Sequence, residues 1–384
     1  MSASISGRAT SGALAPAESR GRCPLARAQR CARGPVRTSR LVVRAEKIEE
    51  KAAKATPSSQ IHRTRPREER AKGRDVYYPE TFDEIVRDAV VSIKTYIDDG
   101  GSLMEVEFPP LPGNVDGYKG ASDVFIDSNV TLALAAARYL GEQGLKCHLV
   151  VPDEGELARS ERMCEGKLDK PGEGVTMGCL TGREGVEGGL TTGWAATLFK
   201  AGTQAPIEDA GAAAADVFLV INASTQELPA VERFADEVAK GRPVVLWNLE
   251  LDTLRGDLGL LAFPPKAMQY RFLCKVKPVF YLRTRQYSKS VNVAPFLINY
   301  SGALFREYPG PWQVMIRTDD GRLCCVAEEP IRYTLGEFKE ELMAAMGLDT
   351  EEEGSAAYFL RRGGKTSTWW EDAFDEEESP AWRS

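Results

Sequence analysis

The chain has 384 residues, of which 43% are hydrophobic and 27% charged, and its formal net charge is −7. This length and composition allow a sizeable core, in one large domain or two small ones. The sequence contains no apolar run near the roughly 18 residues that cross a bilayer, so we expect a soluble or peripheral protein. An acidic chain of this kind is not expected to bind nucleic acid.

The first 45 residues differ in composition from the rest. They contain nine arginines, no lysine and a single acid, Glu18, and they end in LVVRA before Glu46. This profile is typical of an organelle transit peptide, since a secretory signal needs a continuous apolar segment. We therefore expect import into the chloroplast, with a basic nucleic-acid-binding arm as the alternative. Removal of this segment would lower the net charge to about −15.

The next segment, 46–74, is charged and nearly devoid of large apolar residues, so we predict a disordered linker. A single α/β domain is predicted over 75–362. Its first helix begins after Thr81, an N-cap with Glu84 at the third helical position, and ends at Gly100 and Gly101.

Short apolar strands then alternate with helices. Strands are predicted at 103–108, 145–151, 175–180, 216–221 and 243–247, with helices at 122–143 and 227–240. This alternation predicts an α/β fold with a mostly parallel, Rossmann-like sheet and helices on both faces.

The chain after residue 280 reads as consecutive strands, at 279–284, 296–300, 312–318 and 323–327, before a helix at 335–346. These strands predict an antiparallel extension of the same sheet. The glycine-rich stretch 166–215 is interpreted as an insertion, and 363–384 as an acidic tail with exposed tryptophans.

Several kinds of catalytic site are disfavoured by composition. The chain has two histidines, His62 and His148, and His148 lies within a predicted strand. There is no CxxC pair, and GGKTS at 363–367 lacks the first glycine of a phosphate-binding loop. We therefore predict no metal and no cofactor, and we favour a binding protein over an enzyme.

Two polar clusters follow predicted strands. The first lies in EFPPLPGNVDGYKGASDVFIDSN, at 107–129, with Lys119, Asp123 and Asp127. The second lies in NLELDTLRGD, at 248–257. Its members are Asn248, Glu250, Asp252 and Arg255.

Because strand carboxyl ends are where α/β proteins bind ligands, the two clusters predict a ligand or partner site. The alternatives are a capped helix start at Asp123 and an internal ion pair of Arg255.

A basic zone follows, since no Asp or Glu occurs from Leu258 to Arg306. Tyr281, Arg283, Arg285 and Tyr287 share one strand face by their spacing of two. The zone predicts a basic face that docks a partner or an anionic surface, or else a solvated face neutralised by acids elsewhere. Its candidate residues are Arg271, Lys275, Lys277, Arg283, Arg285, Lys289, Arg306 and Trp312. Composition alone, however, places Trp312 in the core after the turn at Pro309 and Pro311.

Several motifs in order resemble the plant and algal plastid family known as domain of unknown function 1995. They are LMEVEFPPLP, YKGASDVFIDSN, NLELDTLRGDLGLLAFP, YRFL, TRQYSKSV and GALFREYPGPWQVM, with FLRRGGKTSTWW near the end. The similarity runs from about Tyr77 to Trp370, and the subgroup it resembles is that of the low photosystem II accumulation proteins.

The resemblance implies a chloroplast location, in the stroma or peripheral to the thylakoid. It also implies a non-enzymatic role in the assembly of photosystem II, with assembly intermediates or other thylakoid proteins as partners. The family supplies no catalytic residues to carry over. The alternative function is binding or conversion of a phosphorylated metabolite or nucleotide by the 119–127 loop and the 248–255 segment.

Overall fold

The computed structural model describes residues 65–111, 123–182, 206–290, 297–347 and 367–384, with the backbone alone for 288–290 and 297–300. Ten strands form one sheet in the order β1-β10-β9-β8-β7-β2-β6-β5-β3-β4. The predicted transit peptide, Lys119 and most of the predicted linker lie outside these residues.

The strands alternate in chain order with helices. The strands are β1 (Val76–Tyr77), β2 (Leu103–Glu107), β3 (Cys147–Asp153), β4 (Val175–Thr181), β5 (Val217–Ile221), β6 (Val244–Trp247), β7 (Lys277–Ser290), β8 (Leu297–Glu307), β9 (Trp312–Arg317) and β10 (Leu323–Glu329). The helices are α1 (Arg67–Arg70), α2 (Phe82–Asp98), α3 (Asp123–Glu142), α4 (Glu154–Met163), α5 (Ala210–Ala214), α6 (Leu228–Phe234, continued by a π turn over Ala235–Ala239), α7 (Leu251–Asp257), α8 (Ala267–Arg271), α9 (Leu335–Ala345) and α10 (Trp369–Asp372). Short 3-10 turns cover Leu273–Lys275 and Phe374–Glu376.

The two halves of the sheet differ in direction. Pairing is parallel from β7 through β2, β6, β5 and β3 to β4. Pairing is antiparallel between β7, β8, β9, β10 and β1. The predicted α/β sheet with a C-terminal antiparallel extension is therefore confirmed.

Helices cover both faces of the parallel half. On one face, α2 and α3 pack against Met104 and Val106 of β2. On the other face, α6 and α7 pack against Leu246 of β6. Strands buried on both faces explain the near-continuous apolar runs that predicted them. The Thr81 N-cap is confirmed, since its hydroxyl accepts from the Glu84 amide at 3.3 Å.

The end of the predicted linker is part of the fold. The Arg74 side chain forms an ion pair with Glu307 at 2.6 Å, and Arg65 contacts the same carboxylate at 3.0 Å. Arg70 donates to the Tyr308 carbonyl oxygen at 3.0 Å. The prediction of disorder was wrong for 65–74, because a segment without apolar residues is held here by charged hydrogen bonds.

The acidic tail is also part of the fold, and the prediction of exposed tryptophans was wrong. Trp382 is 1% and Trp370 8% exposed, and both pack with Cys274. The Trp382 indole donates to Glu377 at 3.0 Å, and Arg383 donates to the carbonyl oxygens of Trp370 and Glu371. The acids of the tail therefore accept hydrogen bonds that bring its tryptophans onto the domain.

His148 is a strand residue, as predicted. Its imidazole lies buried in β3 and hydrogen-bonds the Thr176 hydroxyl at 2.8 Å. Burial lowers the pKa of His148 to about 4. No helix in the described ranges is long and apolar enough to cross a membrane.

Candidate functional site

A pocket opens at the carboxyl ends of three neighbouring parallel strands. The chain leaves β2 toward α3 on one face of the sheet, whereas it leaves the adjacent β6 toward α7 on the other face. Such a reversal leaves a crevice outside the strand ends, which is where α/β proteins bind ligands. We call this cavity of about 90 Å³ the strand-end pocket; its walls come from the segments after β2, β5 and β6 and from α3 and α7.

Three residues around this pocket adopt left-handed backbone conformations without being glycine. They are Asn222 after β5, with φ 58°, and Asn248 and Glu250 after β6, with φ 51° and 56°. Such conformations disfavour folding by roughly 1–3 kcal/mol each, less for asparagine, and they cluster at functional sites. All three residues line the strand-end pocket.

The asparagines hold the pocket walls together. Asn129 on α3 donates its amide to the Asn222 side-chain oxygen at 2.9 Å, which joins α3 to the end of β5. The Asn248 side-chain oxygen accepts from the Phe108 amide at 3.1 Å and fixes the chain after β2.

Asn129 also carries an unsatisfied group. Its side chain is 8% exposed, and its Oδ1 atom is buried without a hydrogen-bond partner in the part of the chain that the structure describes. A buried polar atom of this kind disfavours folding by about 1–3 kcal/mol unless something donates to it. Because Asn129 lines the pocket, a bound molecule with a hydroxyl or amino group would satisfy it.

The chemistry of the lining is polar on one side and apolar on the other. Apolar walls come from Phe125, Ile126 and Leu254, and the described lining contains one charged residue, Glu250. This lining fits a small molecule that has hydrogen-bond donors on an apolar body. Among the described lining residues, none offers a guanidinium or ammonium group to a phosphate.

Asp123 and Asp127 do not join this pocket. Arg159 on α4 contacts Asp123 at 2.9 Å and Asp127 at 2.8 Å, and these two carboxylates raise the pKa of Arg159. Asp123 is the first residue of α3, as the helix-start alternative predicted. The two acids therefore tie α3 to α4.

Asp252 and Arg255 lie on the other side of α7. Arg255 pairs with Asp252 at 2.9 Å, which confirms the internal ion pair. The second Asp252 oxygen accepts from Arg332 at 2.6 Å and from the Tyr281 hydroxyl at 2.9 Å. Burial alone would raise the pKa of Asp252, but the surrounding guanidiniums, Arg332 first, hold it well below its usual range.

The predicted basic face is not one exposed surface. Arg306 is 4% exposed and Trp312 is fully buried, as composition alone had indicated for Trp312. Arg271 pairs with Glu232 and Lys275 with Glu378, each on another part of the fold. The Lys277 side chain donates to Ser384, and the side chain of Lys289 lies outside the described atoms.

Arg283 and Arg285 do share a strand face with Tyr281 and Tyr287, as their spacing predicts. This face lies against α7 and the tail, where both arginines approach Asp252, at 3.9 and 3.8 Å. The two arginines therefore face the interior of the fold beside Asp252, and they are not part of one exposed basic surface.

Sequence reasoning placed Asn248 and Glu250 correctly but missed Asn129 and Asn222. A signal was present, since Asn222 and Asn248 each follow a buried strand directly, in VINA and LWNL. Asparagine tolerates the left-handed conformation that a sharp exit from a strand requires.

Residues 79–340 of the chain match the model of the family described as domain of unknown function (DUF1995). The chain matches no curated protein and no solved structure.

Proposed function

The chain belongs to the DUF1995 family, and on that premise we propose that it is a binding protein that holds a small, uncharged or cationic molecule in the strand-end pocket. One observation carries the proposal: left-handed Asn222, Asn248 and Glu250 converge with the unsatisfied Asn129 oxygen at the strand ends. The ligand donates to Asn129 and Glu250 and packs its apolar part against α3.

The test compares Asn129→Leu with wild type. Each purified protein is incubated with a small-molecule extract of chloroplasts, and retained compounds are identified by mass spectrometry. We expect wild type to enrich a compound that Asn129→Leu does not, because leucine keeps the branched shape of the side chain and removes its polar atoms.

The control is Gln143→Leu, the same amide-to-leucine change at the exposed far end of α3. It should retain the same compound as wild type. Equal enrichment by wild type and Asn129→Leu, or no enrichment by either, refutes the proposed pocket.

A second function concerns the assembly of photosystem II in the chloroplast, which the family resemblance implies. The surface that supports it is a turn at 259–263, here the leucine turn. Leu260 is 55% and Leu261 90% exposed. The Gly259 amide donates to the Pro264 carbonyl oxygen at 2.8 Å, and Gln226 donates to that of Ala262 at 3.0 Å, so the turn is held in place.

Two adjacent leucines on a fixed turn suit contact with an apolar groove of a thylakoid protein, where few residues supply most of the binding energy. The test is affinity purification from gently solubilised chloroplasts, with wild type, a Leu260→Ser, Leu261→Ser double variant and the exposed control Ile331→Ser. We expect photosystem II core subunits with wild type and the control, but not with the double variant.

Absence of photosystem II subunits from the wild-type sample would refute the assembly role. Equal recovery with the double variant would refute the leucine turn as the contact surface.

A further inference from the structure

A second and larger cavity lies along α7, next to the strand-end pocket. Its volume is about 490 Å³, and we call it the arginine cleft. Arg283, Arg285 and Tyr287 of β7 form one wall, α7 forms another, and Thr368, Trp370 and Glu371 of the tail form the third. Thr253 lines both cavities.

Arg285 is incompletely satisfied in this cleft. Its one carboxylate neighbour is Asp252 at 3.8 Å, which is too long for a hydrogen bond. That carboxylate already accepts hydrogen bonds from Arg255, Arg332 and Tyr281. The Nη1 atom of Arg285 is buried without a partner among the described residues.

A second unsatisfied group stands across the cleft. The Thr368 hydroxyl is also buried, and no described residue forms a hydrogen bond with it. The neighbouring Arg283 donates to Thr253 at 3.0 Å and lies 3.5 Å from Glu107, so one of its edges is fixed. Two arginines and a hydroxyl therefore face one space, and guanidiniums match the geometry of phosphate oxygens.

Besides Asp252, the described lining of the cleft contains one other acid, Glu371, which does not compete for Arg285. Both oxygens of Glu371 are used by the backbone, one accepting from the Leu335 amide at 3.1 Å and the other from the Thr368 amide at 2.7 Å. Glu371 thus fixes the start of the tail over α9 and leaves the arginines available to an external anion.

We propose that the arginine cleft binds the phosphate monoester group of a small soluble molecule, with Arg285, Arg283 and the Thr368 hydroxyl as its ligands. The cavity has room for an organic part beside the phosphate, because its volume falls within the range of small-molecule sites. Tyr287 and Trp370 give this part aromatic walls. The sequence had placed a phosphorylated ligand at the 119–127 loop and the 248–255 segment, whereas this proposal places it beside Arg283 and Arg285 of β7.

The test is calorimetric titration of the folded protein with inorganic phosphate and with phenyl phosphate. We expect both to bind and phenyl phosphate to bind more tightly, because its ring can contact the aromatic walls. Arg285→Met should weaken both by about tenfold, since it removes a charged hydrogen bond and keeps the length of the side chain. Arg271→Met is the matched control, because Arg271 is only partly exposed, like Arg285, and pairs with Glu232 away from the cleft.

Thr368→Val provides a second variant if Arg285→Met does not fold. It keeps the side-chain shape, and we expect it to weaken phosphate binding by about threefold. No phosphate binding by wild type at millimolar concentrations, or equal weakening by Arg285→Met and Arg271→Met, overturns the proposal. So does sedimentation with phosphatidylglycerol vesicles in the absence of phosphate binding, which would indicate a lipid surface.

Discussion

Glu105 offers a sharp test of how the buried charges act on stability. The alternation of β2 points it toward α7, where it is 1% exposed and neither carboxylate oxygen has a hydrogen-bond partner among the described residues. Burial raises the pKa of Glu105 to about 7, although Arg255 nearby works in the opposite direction. As the pH rises, the unfolded chain therefore loses the Glu105 proton near pH 4.5, whereas the folded protein keeps it until about pH 7.

The sign and size of the effect follow from linkage. Stability contributed by the protonated Glu105 is fully present below pH 4.5 and is lost as the pH rises through about 7. From about pH 5 to about pH 8, this group alone lowers the free energy of unfolding by roughly 2–3 kcal/mol. Glu105→Gln removes the titration while keeping the shape of the side chain.

The assay is urea unfolding of wild type and Glu105→Gln at both pH values. We expect the variant to gain roughly 2–3 kcal/mol relative to wild type between about pH 5 and about pH 8. Glu107→Gln, two residues along the same strand face, serves as the control. It should lose stability at both pH values, because its carboxylate lies 3.5 Å from Arg283. A Glu105→Gln difference that does not change with pH would refute the reasoning.

Three further predictions concern stability. Trp382→Ala should lower the free energy of unfolding by about 3–5 kcal/mol, because the side chain is buried and fully packed. Denaturant unfolding measures this loss, and a value below about 1 kcal/mol would mean that the tail does not cover the core. Asp252→Asn should cost about 3–5 kcal/mol by leaving Arg255 and Arg332 without their carboxylate, and unchanged stability would contradict the network described here. Lys240→Gly should raise the free energy of unfolding by about 0.5–1 kcal/mol, because Lys240 ends the α6 π turn with a left-handed backbone at φ 52°, which glycine adopts without strain. A lower melting temperature of the variant would show that the ion pair of Lys240 with Glu208 contributes more than the backbone strain costs.

The sheet could be predicted from sequence because its strands are encoded locally. A strand such as VFLVI at 217–221 is apolar on both faces, and an end such as Gly144 stops the preceding helix without long-range help. The direction of the C-terminal strands was likewise visible in the absence of helices between them.

The charged parts of the molecule could not be predicted in the same way. Asp252 meets arginines from β7 and from the segment after β10, so no local pattern distinguishes its network from a solvated surface. The tail reads as acidic and exposed, yet its Trp382 packs against Cys274, more than a hundred residues earlier. Burial of charge depends on partners that are brought together only by the complete sheet.

The contacts of the tail with Arg332 have a consequence for the order in which the domain folds. The guanidinium of Arg332 lies among the rings of Tyr281, Trp312 and Trp382, and the backbone amide of Arg332 donates to the Arg383 carbonyl oxygen at 2.7 Å. The strands through β10 can pair while this guanidinium is still hydrated. Dehydration of the cluster needs residues 370–383, so the charged interior reaches its native state only after this segment has packed onto the sheet.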